Sequence, residues 1–196
     1  MRLYDGWVAK SPVDARSVAE LVSIIRTGTR PKFVFFWGHR PGPSGQLTQT
    51  CLSQWWPTRF VAEGHEFATA EHYMMWSKAS LFGDMRRAEA VLMARSPAQA
   101  KAIGRQVEGF NEDVWVEHRW RIVVTASMAK FDSNPALKEY LLGTKHRVLV
   151  EASPVDRVWG IGLSVDSDKV ENPEQWCGLN LLGFALMEAR HRLQEG

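Results

Sequence analysis

The densest run of chemically capable side chains is Thr69-Ala70-Glu71-His72-Tyr73-Met74-Met75-Trp76-Ser77-Lys78. On a helix, Glu71, Met74, Met75 and Lys78 share one face at i, i+3, i+4 and i+7. A carboxylate and an amine then stand two turns apart, about 10 Å between backbones, which leaves room for a sugar-sized ligand. Glu71 falls in the first turn, where the helix dipole favours its charged form. Burial beside Trp and Met would oppose that and raise its pKa. The plain alternative makes Glu71 a first-turn acid and Lys78 a solvated cation. His72, about 100° further round, is either a packed, hydrogen-bonded histidine or a substrate contact.

A second cluster runs Glu151-Ala152-Ser153-Pro154-Val155-Asp156-Arg157-Val158-Trp159-Gly160-Ile161-Gly162. Two carboxylates, Glu151 and Asp156, flank a proline turn at the end of a strand, a frequent place for site residues. Trp159 could stack on a base, with neighbouring glycines allowing close backbone approach; otherwise it is core and Asp156 a turn acid. The cations Arg40, Lys78, Arg105 and Arg119 are candidates for phosphate, since Arg offers paired hydrogen bonds and Lys a point charge.

These groups need elements to hold them. Helical patterns cover Ser17–Arg26, Ala70 to about Phe82, Asp84 to about Arg95, a segment opened by Ser96-Pro97, Asn111 to about Lys130, Asn134-Pro135 to Gly143, and Asn180–Leu193. Strands are expected at Phe33–Trp37 and Arg147–Ala152, with a hairpin over Arg59–Ala68 turning near Glu63-Gly64. No alternating βαβ pattern is visible. The fold class is therefore α+β, a predominantly helical single domain with a small β-sheet. Residues 1–30 read as an N-terminal extension with a helix, and 31–196 as the main domain.

Composition narrows the function. The chain has 196 residues, 45% hydrophobic and 23% charged, enough for one buried core. Its 24 Lys and Arg against 22 Asp and Glu give a net charge of +2, unlike a dedicated duplex-DNA binder. Nine Trp imply a bulky core or stacking platforms for flat ligands. Two cysteines, Cys51 and Cys177, exclude a disulfide framework and a multi-cysteine zinc site. The first ten residues lack the apolar segment of a signal peptide, so a soluble, cytoplasmic protein is expected.

Several ordered pieces together resemble the NADAR (NAD- and ADP-ribose-associated), or YbiA-like, family. They are Cys51 through Pro57, Ala70 through Met75 with Lys78-Ala79, Lys101 through Arg105, and Trp115 through Arg119. Ala129-Lys130-Phe131, Leu149 through Pro154, Asp156 through Gly162, and Trp176-x-Gly-x-Asn180-x-Leu182-Gly183 follow. The resemblance implies cleavage of N-glycosidic bonds at ribose. One branch hydrolyses the phosphorylated ribosylamino-pyrimidine intermediates of riboflavin synthesis and releases ribose 5-phosphate. Another removes ADP-ribose from guanine in nucleic acid. It also implies that Glu71, Lys78, Trp115, Asp156 and Trp159 occupy the family's site positions. Cys177 and Ile161 depart from the usual pattern near that site.

From these residues the expected enzyme is an N-glycosidase without cofactor or metal, acting on a small phosphorylated nucleoside-like substrate. Nucleic acid is a partner only for the ADP-ribosyl-guanine alternative, and a non-catalytic ADP-ribose or NAD binding module is the rival of another class. Glu71 would stabilise the oxocarbenium ion or activate water. Lys78 would pair with phosphate or form a Schiff base with the opened sugar. Asp156 would orient a ribose hydroxyl or protonate the base. Trp115 and Trp159 would stack on that base, and Arg40, Arg105, Arg119 and His72 would contact the substrate.

Overall fold

The structure, a computed structural model, describes residues 10–195. Its helices begin where a side chain can take up an otherwise orphaned first-turn N–H. Ser17 caps α1 (Val18–Arg26), Thr69 caps α2 (Ala70–Leu81) and Asp84 caps α3 (Met85–Leu92). Ser96, Asn111 and Asn134 do the same for α4 (Pro97–Gly104), α5 (Glu112–Asp132) and α6 (Pro135–Gly143). The third helix stops short of the expected Arg95, because Ser96 must leave helical geometry to cap α4 and precede its proline. The last helix, α7 (Leu181–Glu195), follows Asn180, whose φ of +52° lies in the left-handed region that asparagine tolerates.

The strands are β1 (Phe33–Phe36), β2 (Phe60–Ala62), β3 (His65–Phe67) and β4 (Val148–Glu151). The second and third form the expected hairpin, turning through Glu63 and Gly64 at φ +50° and +77°. In place of one small sheet there are two separate pairs. In the other pair, β1 and β4 run parallel, with Phe33 opposite Val148 and Phe36 opposite Glu151. Five helices, α2 to α6, lie between those partners in the chain. Such a crossover hides the parallel pairing from any local pattern.

The core forms where α7 lies against α5 on one side and β4 on the other. Phe36, Phe131, Leu149 and Phe184 are fully buried there, and Leu21 and Ile24 of α1 join the same cluster. Gly183 lets α7 sit directly on the strand, since a Cβ there would collide with the Leu149 carbonyl. Among the described residues no helix is long and apolar enough to cross a membrane.

Candidate active site

Because β1 and β4 are parallel, both release the chain at the same end of the sheet, where ligands commonly bind in α/β architectures. Past β1 come Trp37, Gly38 and His39; β4 ends on Glu151 and continues to Ser153 and Asp156. A cavity of about 370 Å³ opens here, lined by Trp37, His39, Trp55, Lys101, Glu151 and Asp156 among others. That volume suits a small ligand. Trp37 is 56% exposed at this rim, and the rings of His39 and Trp55 lie 5.5 Å apart. The Lys101 ammonium stands 5.8 Å from the Trp55 ring centroid.

Glu71 lies just behind this lining and is only 2% exposed. Its main-chain N–H donates to the Gln54 carbonyl at 3.0 Å, fixing the first turn of α2 against the 51–56 segment. Burial pushes its carboxyl up to about 7, against the pull of the Lys101 ammonium, the Trp55 indole N–H and Arg105; Asp156 adds repulsion. Desolvation therefore outweighs the helix dipole. Glu151 is pushed up further, to about 8, by its own burial and by the charges of Asp156 and Glu71, with Lys101 opposing. Glu71 Oε1, Glu151 Oε2 and Gln54 Oε1 are all buried without a hydrogen-bond partner. Unpaired buried oxygens are costly, and a bound polar ligand would satisfy them.

Lys101 is the cation common to both carboxyls. Lys101→Met should raise the Glu71 pKa, because the ionised form loses its main electrostatic support. The pH at which activity rises should move upward accordingly, measurable as kcat/KM against pH; an unmoved acid limb would separate Lys101 from Glu71.

Backbone bonds hold these side chains in place. Lys130, fully buried, donates from Nζ to the carbonyls of Cys51 and Ser53 at 2.6 and 2.7 Å, anchoring the segment that carries Trp55. Burial lowers its ammonium to about 7. Asp156 Oδ1 accepts from the N–H groups of Val158 and Trp159 at 2.9 and 2.8 Å, which closes the turn that brings this residue to the cavity. Buried Asn180 spans the edge of β4, its Oδ1 accepting from Glu151 N–H at 3.0 Å and its Nδ2 donating to the Leu149 carbonyl at 2.9 Å. Asn180→Ala strands both backbone groups and frees Glu151. It should cost about 1–3 kcal/mol in denaturant unfolding and lower kcat as well; unchanged stability would contradict this anchoring.

Of the residues singled out from sequence, Glu71, Asp156 and Arg105 gather here. Lys78 does not. It shares a helix face with Glu71, but its Nζ stands 4.0 Å from the Phe110 ring centroid and 5.7 Å from that of Trp115. Between acid and amine along the helix, Met75 packs on Gly104, where a Cβ would run into the Met75 sulfur. Trp115 is thus a buried partner of Lys78, and Arg119 lies 3.9 Å from Glu112. His72 is locked structurally, Nδ1 bonded to Thr69 Oγ1 at 2.7 Å and Nε2 to the Ala94 carbonyl at 3.2 Å. Trp159 packs half-buried on the core, and Arg40 is exposed, its carbonyl accepting from Thr50. Lys101 and Trp55 enter the sequence reading only within motifs of the resemblance, Trp37 only as the end of a strand, His39 not as a site residue, and Glu151 only as a flanking acid. A hollow of about 490 Å³ on the far face of α2, lined by Tyr73, Trp76, His118 and Arg121, carries just one carboxylate, that of exposed Glu63.

Comparisons with known proteins agree with the fold. The model of the family described as NADAR domain matches residues 35–194. N-glycosidase R617 of Acanthamoeba polyphaga mimivirus is 41% identical over 170 residues, covering 84% of this chain and 98% of that protein. Riboflavin biosynthesis protein VVA0006 of Vibrio vulnificus is 31% identical over 144 residues, which cover 74% of this chain and 35% of that longer protein. The NMR structure of the Escherichia coli protein YbiA matches with a TM-score of 0.63 at 24% identity, over 85% of this chain and 88% of that one, and so shares the fold. The chain belongs to the NADAR domain family.

Proposed function

We propose that this protein is an N-glycosidase that hydrolyses the ribose C1–N bond of phosphorylated ribosylamino-pyrimidines, releasing ribose 5-phosphate. Supporting the activity are its relationship to a protein named N-glycosidase and, for the substrate class, to one named for riboflavin biosynthesis. The observation that carries the mechanism is a pair of carboxyls with buried, unpartnered oxygens, both raised by burial beside one lysine.

Two carboxyls that repel each other give up their protons in two steps, which divides the acid and base roles. Glu71, helped by Lys101 and Trp55, ionises first and stabilises positive charge growing at C1 while taking a proton from the attacking water. Glu151 retains its proton longer and gives it to the departing exocyclic nitrogen. The water oxygen bonds to C1 and the C1–N bond breaks onto nitrogen; Glu71 has then gained a proton and Glu151 lost one, and release from Glu71 to solvent with uptake by Glu151 resets the pair. Asp156 orients a ribose hydroxyl, Trp37 and Trp55 stack on the pyrimidine, and Lys101 with Arg105 attracts the phosphate.

The test is product analysis on two substrates in parallel. A phosphorylated ribosylamino-pyrimidine should yield ribose 5-phosphate and the free diaminopyrimidine. ADP-ribose released only from ADP-ribosyl-guanine DNA would overturn the substrate assignment, and no product from either would overturn the enzymatic one.

A further inference from the structure

The β1–β4 sheet has a second end, about 13 Å away along the strands from the catalytic cavity. There Lys32 precedes β1 and Arg147 precedes β4, joined by the Val148 N–H donating to the Lys32 carbonyl at 2.9 Å. A cavity of about 410 Å³ opens at this end; among the described residues its lining carries the cations Arg30, Lys32, Lys145 and Arg147 with the imidazole of His146, and no carboxylate. A second hollow of about 270 Å³ shares Thr144 and Arg147 with it and ends on half-buried Tyr140. Among the described residues none of the five basic side chains forms an ion pair. In a chain of net charge +2, that is a marked concentration of unneutralised cations.

Beneath them lies a further cation, held by the backbone and side chain of the same segment. Arg190 is 3% exposed and pairs with no carboxylate among the described residues. Its Nη1 instead donates to Thr144 Oγ1 at 2.7 Å and to the Arg147 carbonyl at 2.9 Å. Burial and the Arg16 charge lower its pKa to about 10. A buried, uncompensated guanidinium is costly, and an anion resting above it would offset that cost.

We propose that this groove binds single-stranded nucleic acid, the cations taking successive phosphates and Tyr140 stacking on an unpaired base. Four cations around one hollow suit several phosphates better than one, and Tyr140, in the adjoining hollow that shares Arg147, offers a ring on which a free base can stack. The groove is separate from the catalytic cavity, which occupies the opposite end of the sheet.

The test is fluorescence anisotropy of the full chain with a labelled oligothymidylate of about 12 nucleotides at ~50 mM salt. Binding should weaken at least tenfold in the triple variant Arg30→Ala, Lys32→Ala, Lys145→Ala, and the slope of log K against log salt should fall by about 2. Tyr140→Ala should weaken binding about tenfold and leave that slope unchanged, because it removes no charge. Both variants should hydrolyse the small ribosylamino-pyrimidine as the parent does, which also reports that they fold. Undiminished binding in the triple variant would overturn the groove. Displacement of the oligonucleotide by equimolar tripolyphosphate, with Tyr140→Ala without effect, would overturn the nucleic-acid assignment in favour of free polyphosphate.

Discussion

Glu71→Gln should lower kcat/KM by about 10²–10⁴-fold while leaving KM and the fold intact, because the amide fills the same space but neither carries charge nor accepts the water proton. The same substitution should stabilise the protein, and the pH dependence of that gain identifies its cause. A buried carboxyl raised to about 7 costs folding free energy wherever it is forced to ionise. Between its unfolded value near 4.5 and its folded value the unfolded chain binds fewer protons than the folded one, so wild-type stability falls as pH rises through that window. Well below pH 4.5, both states are protonated and the Gln variant should gain little. At pH 8 it should gain on the order of 1–3 kcal/mol in urea unfolding. Equal stability at pH 8, or near-normal turnover, would remove Glu71 from its catalytic role.

Glu151→Gln carries the second large effect. The coupled pair should give the wild type a bell-shaped pH profile, rising as Glu71 ionises and falling as Glu151 loses its proton. The two apparent values belong to the pair. Removing Glu151 should cost about 10²–10⁴-fold near neutral pH. It should also abolish the alkaline fall, leaving a curve that rises and then stays level. The acid limb should remain nearly where it was, because Glu151 is already neutral when Glu71 first ionises. A persistent alkaline fall in this variant would assign the proton donor to another group. In Glu71→Gln, conversely, Glu151 should titrate lower, since it loses a negative neighbour.

What could be read from the sequence was what is decided locally. Thr69, Asp84, Ser96, Asn111 and Asn134 announce helix starts through their own side chains, and they cap the helices that follow them. Glu71 was legible for the same reason, as an acid in the first turn of a capped helix, and Asp156 as a turn acid beyond a strand. The partners of Glu71 were not legible because they come from other elements. Residues 70–75 of α2 are buried one after another, so the helix has no single apolar stripe to reveal which face meets what. Spacing correctly put Lys78 on the face of Glu71, yet that face is covered where Gly104 lets α4 close onto Met75. The same approach delivers Lys101 to Glu71, while Lys78, expected at the phosphate or the opened sugar, stays on the far side of Met75. Glu151 needed the parallel pairing of β1 with β4, a contact made across five intervening helices.

Hydrolysis by these two acids requires the sugar to dock at the open end of β1 and β4, with Glu71 and Glu151 on either side of the bond to be broken. A crystal structure of Glu71→Gln soaked with a phosphorylated ribosylamino-pyrimidine tests this most directly. The anomeric carbon should lie within about 4 Å of the residue 71 side chain, with the exocyclic nitrogen in hydrogen-bond reach of Glu151. Density for the ligand against Lys78 and Trp115, or in the hollow between Tyr73 and Arg121, would contradict it.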